Sequence, residues 1–310
     1  MAWVHRLTAG VMLAALVGCS VPGDAPIDSS PTRLTTPPAA EPAPQPPADP
    51  GIAAAPTPQQ LAAPQPHRLE RRTIGAGGME RSYVLSVPAG VERTTRMPLI
   101  YVFHGYKGDA EKVRTESGLD AANAVVVFME GHDQAWAPAP YATTTGEQDI
   151  AFVEAVRQAL DAEFTIDASR VFATGLSNGG GFASYLGCQR PQDLTAVGSV
   201  SAAFYERVSQ GCSRIPIKHI DFHGTADSVI GYDGGQRHNS VYESSHEMLA
   251  EAAVRNHCDE LPTESTYAPG IERFVWQDCD APLEHYRIDG GVHEWPSFAT
   301  EKQLEFFGIR

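Results

Sequence analysis

Short apolar runs that end in turns recur along the chain beyond residue 80. They occupy residues 98–103, 125–129, 170–174, 196–200, 215–222 and 285–288. Runs that are apolar on both faces are typical of buried parallel strands. Residues 81–88 instead alternate between apolar and polar positions, and we predict a further strand there, with one face formed by Tyr83, Leu85 and Val87.

Helical periodicity separates several of these strands. One segment has apolar residues at steps of three and four, which gives it a single apolar face: Ile150, Val153, Val156, Leu160 and Phe164. Residues 240–256 and 298–307 are also predicted to be helices. Alternating strands and helices predict an α/β domain with a mostly parallel sheet covered on both faces. Its functional site is expected at the carboxyl ends of the strands.

The first nineteen residues show a pattern typical of a targeting segment. Arg6 precedes an apolar run at residues 7–17, which is too short to span a bilayer core of about 30 Å but suits a signal peptide. The run ends in Leu-Val-Gly followed by Cys19, which resembles the bacterial lipobox, whose cysteine is acylated after cleavage. An ordinary secretory signal with an unrelated cysteine is the alternative. We expect residues 1–19 to be a lipoprotein signal and Cys19 to anchor the protein on a membrane.

Residues 20–66 differ from the rest of the chain in composition. Fourteen of the 24 prolines fall in this segment, among Ala, Gln and Thr. Such a stretch has too little apolar surface to offset the conformational entropy lost on folding, so a disordered linker is predicted. Residues 67–310 then suffice for one α/β domain.

The net charge indicates which kinds of partner the protein can bind, and the cysteines indicate the redox state of its compartment. The net charge of −15 counts against nucleic acid, because phosphate binding needs clustered Lys and Arg. Four cysteines follow Cys19, and in an oxidising compartment they suggest two disulfides with three possible connectivities. We favour the sequential pairs, whose loops are short enough to close locally: Cys188–Cys212 and Cys258–Cys279. A zinc site is the alternative, but the chain has no Cys-x-x-Cys pair.

Residues 175–179 read Gly-Leu-Ser-Asn-Gly and match the pattern Gly-x-Ser-x-Gly. The pentapeptide alone is a weak signal, because short motifs of common residues arise by chance. Its context is specific, since a buried strand precedes it and residues 180–186 begin a helix directly after it. A serine on such a strand-to-helix turn presents its hydroxyl as a nucleophile, and the glycines leave room for it. We therefore predict Ser177 as the nucleophile, with a structural glycine turn as the alternative.

The same turn predicts where negative charge can be stabilised during acyl transfer. Backbone N–H groups at a helix N-terminus are aimed to receive an oxyanion, so the N–H of Asn178 is the first predicted donor. The second is the N–H of Tyr106, in the loop after the strand at residues 98–103. His104 precedes Ser177 in the chain, and we expect it to brace that loop.

A serine nucleophile on this kind of turn is followed along the chain by its acid and then its base. Asp227 lies on a tight loop just after the strand at residues 215–222, whereas Asp233 lies further out, on an expected substrate-side loop. Among the later histidines, only His293 follows the last strand in a glycine-flanked loop. The predicted triad is therefore Ser177, His293 as base, and Asp227 as its partner.

Two other histidines, His219 and His223, lie four residues apart on one strand and therefore on one face. That spacing raises the alternative of a metal site. No third ligand is within reach by sequence, so no metal is expected.

Five motifs, in this order, resemble those of the poly(3-hydroxybutyrate) depolymerase-like and feruloyl or acetylxylan esterase family of the α/β-hydrolase fold: residues 103–105, 175–180, 223–227, 232–235 and 290–296. The resemblance covers about residues 70–308. Within this family, the chain most resembles lipoprotein esterases of mycobacteria and their relatives. It implies a Ser-Asp-His triad, ester hydrolysis without metal or organic cofactor, and cysteine pairs near those named above. It also implies that Trp136 and Trp295 line the substrate cleft.

The chain departs from the family pattern at two places. Glu294 puts a carboxylate directly after the predicted base, and Tyr106 and Lys107 stand where small or apolar residues are common. Both departures bear on which substrate is preferred more than on the mechanism.

These observations together predict an exported, membrane-anchored serine esterase. Its expected substrates are short-chain, hydroxyalkanoate or polysaccharide-linked feruloyl and acetyl esters. A serine peptidase or acyltransferase would use the same triad, and a non-catalytic surface-binding lipoprotein is the third alternative. Loss of a triad residue would favour that last alternative, yet all three have candidates in the right order.

Overall fold

A computed structural model describes residues 66–309. The expected signal peptide at residues 1–19 with its lipobox Cys19, and the expected linker except for Pro66, lie outside the described residues. None of the helices within residues 66–309 combines the length and apolar character needed to cross a bilayer.

The described part of the chain alternates strands and helices. Its strands are β1 (His67–Ala76), β2 (Met79–Pro88), β3 (Arg96–Phe103), β4 (Val125–Met129), β5 (Thr165–Leu176), β6 (Ala196–Val200), β7 (Phe204–Tyr205), β8 (Lys218–Gly224), β9 (Gly235–Arg237), β10 (Ser240–Glu243), β11 (Thr263–Ala268), β12 (Ile271–Val275) and β13 (Leu283–Ile288). Its α-helices are α1 (Ala110–Ser117), α2 (Gly146–Glu163), α3 (Asn178–Gln189), α4 (Ser245–Arg255) and α5 (Ala299–Phe307). Single 3-10 turns lie at Leu119–Ala121, His132–Gln134 and Pro191–Asp193.

Ten strands form one sheet in the order β1-β2-β4-β3-β5-β6-β8-β13-β12-β11. The six strands from β4 to β13 are parallel, and antiparallel pairs extend the sheet at both edges. A small sheet of β7, β10 and β9 lies apart. The mostly parallel sheet confirms the predicted α/β class. Because parallel strands end at one edge, the loops after β3, β5, β8 and β13 meet there.

Apolar side chains pack on both faces of the large sheet. Phe152 of α2 and Phe182 of α3 belong to one buried cluster, whereas Val113 of α1 and Phe307 of α5 belong to the cluster on the other face. Helix α4 packs through Leu249 in a third cluster. Burial of side chains of this size stabilises the fold by about 1.5–3 kcal/mol each. The two layers hold the carboxyl edge of the sheet as a rigid platform for its loops.

The helix predicted at residues 240–256 is wrong at its start. Residues 240–243 form β10, with Tyr242 paired to Tyr205 of β7. The helix begins only after Ser244, whose side chain accepts from the N–H of Glu247 in a capping box. Such a cap satisfies N–H groups that the first helical turn leaves unpaired, so it fixes where the helix begins.

Both predicted disulfides are present in the structure. Cys188–Cys212 joins the end of α3 to the loop before β8, and Cys258–Cys279 joins the segment after α4 to the loop before β13. The sequential pairing is therefore confirmed. Two disulfides in a domain of this size are consistent with an extracytoplasmic compartment, where they persist.

Candidate active site

Ser177 occupies a sharp turn between β5 and α3. Its backbone dihedrals are φ 56° and ψ −118°, a region that non-glycine residues rarely adopt and that neighbouring contacts must hold in place. The Ser177 N–H donates to the Val200 carbonyl at 2.8 Å, and its own carbonyl accepts from the N–H groups of Gly181 and Ala203 at 3.0 Å each. These three bonds hold the strained turn against β6 and leave the side chain facing a cavity.

Two glycines let the neighbouring loop approach this serine. A Cβ on Gly179 would overlap the Phe103 carbonyl, so only glycine lets α3 begin this close to the end of β3. A Cβ on Gly105 would lie 3.3 Å from the Ser177 Cβ. The loop after β3 therefore borders the nucleophile, as the sequence predicts.

Asp227 and His293 meet although 65 residues separate them. The Nδ1 of His293 lies 2.7 Å from Oδ2 of Asp227, while Oδ1 accepts from the N–H groups of Val229 and Ile230 at 2.8 and 2.9 Å. Burial alone would raise the pKa of the Asp227 carboxyl, but bonds from His223, His293 and Ile230 hold it well below its usual range. The carboxylate therefore stays ionised and fixes the His293 tautomer, with Nε2 available to take a proton.

A second histidine contacts the same carboxylate. The Nε2 of His223 lies 3.3 Å from Asp227 Oδ2 and donates to the Ile230 carbonyl at 2.9 Å, while its Nδ1 pairs with the Ser245 hydroxyl at 2.8 Å. Burial opposes charge on His223, yet Asp227 raises its pKa. The sequence alone suggested His223 only as a metal ligand, so this contact with Asp227 was not predicted. Its position four residues before Asp227 was the available signal.

The predicted oxyanion donors belong to segments that border the nucleophile, since Asn178 follows Ser177 and Tyr106 follows Gly105. The N–H groups of Asn178 and Tyr106 have no protein acceptor within residues 66–309. The Asn178 side chain bonds both the N–H and the carbonyl of Trp136, at 2.8 and 3.0 Å, which fixes the first turn of α3. Two free N–H groups beside a serine hydroxyl can receive the charge of a tetrahedral intermediate.

His104 braces the oxyanion loop, as predicted. Its Nδ1 donates to the Gly105 carbonyl at 2.8 Å, and its Nε2 accepts from the Gly131 N–H at 2.9 Å. Both ring nitrogens are therefore used, and burial lowers the pKa of the His104 imidazole. A neutral, fully bonded imidazole has no capacity left to act as the catalytic base.

Two residues expected at the substrate do not line the cavity. Trp136 is fully buried, stacked on Phe182, and its indole N–H donates to the His104 carbonyl at 3.1 Å. Trp136 therefore supports the loop after β3 from within the core, and the expectation that it lines the cleft is wrong. Asp233 is exposed outside the cavity. Trp295 does line the cavity, with its indole N–H bonded to Thr300.

A cavity of about 630 Å³ connects these groups. It is lined by Ser177 and His293 and by tyrosines and polar or charged side chains: Tyr106, Lys107, Lys112, Glu116, Tyr141, Tyr205, Arg237, His238 and Glu294. Its volume suits a substrate of small-molecule size or the reacting end of a polymer.

Another serine, histidine and aspartate cluster lies inside the sheet. The Ser199 hydroxyl donates to Asp221 at 2.5 Å and pairs with His219 Nε2 at 2.8 Å, and Asp221 binds His285. Here the serine stands between the two other groups, whereas in a catalytic relay the histidine does. Ser199 and Asp221 are also fully buried and do not line the cavity that contains Ser177. We therefore assign this cluster to the core.

The buried His219 makes a testable contribution to acid sensitivity. Burial lowers its pKa to about 4, despite the nearby Asp221 carboxylate. Between about pH 6.5 and 4 the unfolded chain binds a proton that the folded chain excludes, so stability falls as the pH falls through this window. In His219→Gln we expect the loss of unfolding free energy between pH 7 and 4.5 to shrink by about 2–3 kcal/mol, measured by urea denaturation. An equal loss in both proteins would contradict this.

The metal alternative finds no support in these contacts. His219 and His223 have separate partners, and within residues 66–309 no group of three or more His, Cys, Asp or Glu side chains is placed to hold a metal ion.

Comparison with known proteins places this geometry among esterases. The family model described as Esterase PHB depolymerase matches residues 81–230. A probable feruloyl esterase C from Aspergillus flavus is 32% identical over 228 residues, which cover 68% of this chain and 76% of that protein. Feruloyl esterase C from Emericella nidulans is 28% identical over 244 residues, covering 73% of this chain and 83% of that protein.

Solved structures share the fold. An acetyl xylan esterase from Aspergillus awamori matches with a TM-score of 0.58 at 16% identity, over 77% of this chain and 99% of that one. A ferulic acid esterase from Anaeromyces mucronatus, in complex with ferulic acid, matches with a TM-score of 0.53 at 15% identity, over 81% and 93%. These likenesses confirm the expected α/β-hydrolase fold. The sequence relatives establish more: this chain belongs to the Esterase PHB depolymerase family, together with the feruloyl esterases, and is a carboxylic ester hydrolase.

Proposed function

We propose that this protein is an exported serine esterase that hydrolyses feruloyl, acetyl or other short acyl esters through Ser177, His293 and Asp227. One observation carries the proposal. A serine on a strained turn at a helix N-terminus shares a cavity with a histidine whose far nitrogen is bonded to a buried carboxylate. This is the arrangement that acyl transfer by a serine requires.

Acylation follows from the position of each group. The Ser177 hydroxyl attacks the ester carbonyl carbon while His293 Nε2 takes its proton, and Asp227 stabilises the imidazolium that forms. The N–H groups of Asn178 and Tyr106 receive the negative charge on the former carbonyl oxygen. When the intermediate collapses, the bond to the alcohol breaks, and His293 gives the proton to the departing oxygen.

Deacylation repeats these steps with water. His293 removes a proton from a water molecule that attacks the Ser177 ester, and the oxyanion again forms at the same two N–H groups. Collapse releases the carboxylic acid and returns the proton to the Ser177 oxygen.

The cavity wall favours a planar or short acyl group. Tyr106 and Tyr141 stack with ring centroids 3.9 Å apart, and Trp295 lines the same space. Aromatic walls of this kind bury a flat ring such as a feruloyl group with favourable stacking geometry. The feruloyl and acetyl xylan esterases among the similar proteins support the same substrate classes, and hydroxyalkanoate esters remain part of the proposal.

We also propose that residues 1–66 export and tether the domain. Acylation at Cys19 after removal of the signal peptide would hold it on a membrane face. The two disulfides support a location outside the cytoplasm.

The activity is tested with the full chain and a matched set of substrates. We expect hydrolysis of methyl ferulate and of 4-nitrophenyl acetate and butyrate, less of 4-nitrophenyl octanoate, and covalent labelling of Ser177 by a fluorophosphonate, located by mass spectrometry. Faster cleavage of a 4-nitroanilide than of the matched ester would favour a peptidase. A folded chain with neither turnover nor labelling would favour the binding-protein alternative.

A further inference from the structure

The cleft extends from Ser177 along a row of tyrosines. Tyr106 follows the glycine that borders Ser177 and stacks on Tyr141, and the edge of Tyr141 packs on Tyr205 with centroids 5.9 Å apart. All three line the same cavity as the nucleophile. A bound ester therefore has a continuous aromatic wall that leads away from the reacting carbonyl.

Tyr205 ends this wall with a buried hydroxyl. Its side chain is 3% exposed, and within residues 66–309 the hydroxyl forms no hydrogen bond of normal geometry, although the Tyr141 hydroxyl lies near it. Burial raises the pKa of Tyr205, so the hydroxyl stays protonated and can donate. A buried hydroxyl left unpaired is costly, and such groups in native proteins often await a ligand or water.

Two cations line the same cavity. Lys107 and Arg237 both line the cavity, and neither forms an ion pair with a carboxylate in the described part of the chain. The Arg237 Nη1 donates to the Val229 carbonyl at 3.1 Å, which orients the guanidinium and leaves its other N–H groups free. Lys107 Nζ lies 5.3 Å from the centroid of the Tyr106 ring, and that ring packs on His238, the neighbour of Arg237 in the chain, with centroids 5.5 Å apart. Burial and both cations lower the pKa of His238.

The acidic side chains of the cavity do not neutralise these two cations. Glu116 lies 3.8 Å from Lys112, its own partner on α1, and Glu294 forms no ion pair with Lys107 or Arg237. In a chain with a net charge of −15, two unpaired cations that line the same cavity as the Tyr205 hydroxyl form a local positive site within an acidic protein. Charge-assisted hydrogen bonds to such donors are the usual way a carboxylate is bound.

We propose that Lys107, Tyr205 and Arg237 form an anion subsite that selects esters carrying a free carboxylate away from the scissile bond. The inference rests on the proposed esterase activity for its kinetic consequence, though not for binding. The preferred substrate is then a carboxylate-bearing ester, such as an oligomer of hydroxy acids or a glycan ester beside a uronic acid. Neutral esters use the same triad without this contact.

Matched ester pairs test the subsite in the full chain. One pair carries the charge on the acyl side: the 4-nitrophenyl half-ester of adipic acid and 4-nitrophenyl hexanoate. The other carries it on the alcohol side: 4-acetoxybenzoate and its methyl ester. The ratio of kcat/KM for the anionic and neutral members of each pair is compared between wild type and variants, so that intrinsic reactivity cancels.

We expect the double variant Lys107→Met with Arg237→Gln to lower this ratio about tenfold in at least one pair, the size expected for two solvent-exposed charge contacts. Tyr205→Phe is expected to lower it about threefold. Lys302→Met is the control, because it removes one positive charge on α5, outside the cavity. The ratio should also fall in 0.5 M NaCl in wild type and not in the double variant.

Binding without turnover separates this inference from the proposed activity. Adipate and 4-hydroxybenzoate should bind Ser177→Ala in calorimetry, with affinity reduced about tenfold when Lys107→Met and Arg237→Gln are added. If neither the ratio nor the affinity changes beyond that of Lys302→Met, the anion subsite is wrong while the esterase stands. If no ester is hydrolysed but the affinity difference persists, the esterase proposal fails and the subsite stands.

Discussion

Ser177→Ala is expected to lower kcat for ester hydrolysis by roughly 10⁴-fold or more, with the fold unchanged. The hydroxyl is the group that forms the bond to the acyl carbon, and no other serine lines the cavity within residues 66–309. The measurement is steady-state hydrolysis of 4-nitrophenyl acetate, with circular dichroism and a melting curve to show that the variant folds.

Ser199→Ala provides the matched control for this prediction. Ser199 also contacts a histidine and an aspartate, but it is fully buried in β6. We expect this variant to keep its kcat within a few fold at temperatures where it is folded, and to melt at a lower temperature, because removing a buried hydroxyl leaves Asp221 and His219 short of a partner. The opposite result, in which Ser199→Ala loses activity and Ser177→Ala keeps it, would show that the active site is the core cluster.

Asp227→Asn is expected to lower kcat by roughly 10³- to 10⁴-fold. An asparagine can keep the bonds from Val229 and Ile230 to its carbonyl oxygen, so the loop is expected to hold its shape. Its amide N–H₂ then faces His293 Nδ1, which forces the proton onto Nε2, the nitrogen that must accept the serine proton. The carboxylate charge that stabilises the imidazolium is lost as well.

Steady-state kinetics over pH 6 to 9 measure this effect. Asp221→Asn is the control. Asp221 is a buried carboxylate of β8, and its hydrogen-bond partners, Ser199 and His285, do not line the cavity. We expect that variant to lose stability and to retain most of its kcat when folded. A wild-type kcat in Asp227→Asn would show that His293 does not depend on this carboxylate.

Much of the fold and of the candidate site follows from local sequence. The apolar runs gave the parallel strands because burial on both faces excludes polar residues from them. Ser177 is the predicted nucleophile because its turn needs glycines at fixed offsets. Asp227 and His293 are its predicted partners because each follows the end of a strand. These signals lie within a few residues of the group they identify.

The remaining features depend on contacts between distant segments. Trp136 is buried because the loop carrying it folds back under His104, and no local pattern records that. Arg237 and Lys107 line one cavity although more than a hundred residues separate them in the chain. In the hairpin of β11 and β12, the first strand is exposed along almost its whole length and the second is half-buried throughout, so neither has the alternating apolar face that predicts a strand.

The register of β1 fixes where the described chain enters the domain. His67 pairs with Pro88, and Tyr83 of the same strand β2 pairs with Met129 at the carboxyl end of β4. His67 therefore lies at the end of the sheet opposite Ser177. A segment joined ahead of His67 meets the domain away from the mouth of the cavity, so the point of attachment does not obstruct the path of an ester to Ser177.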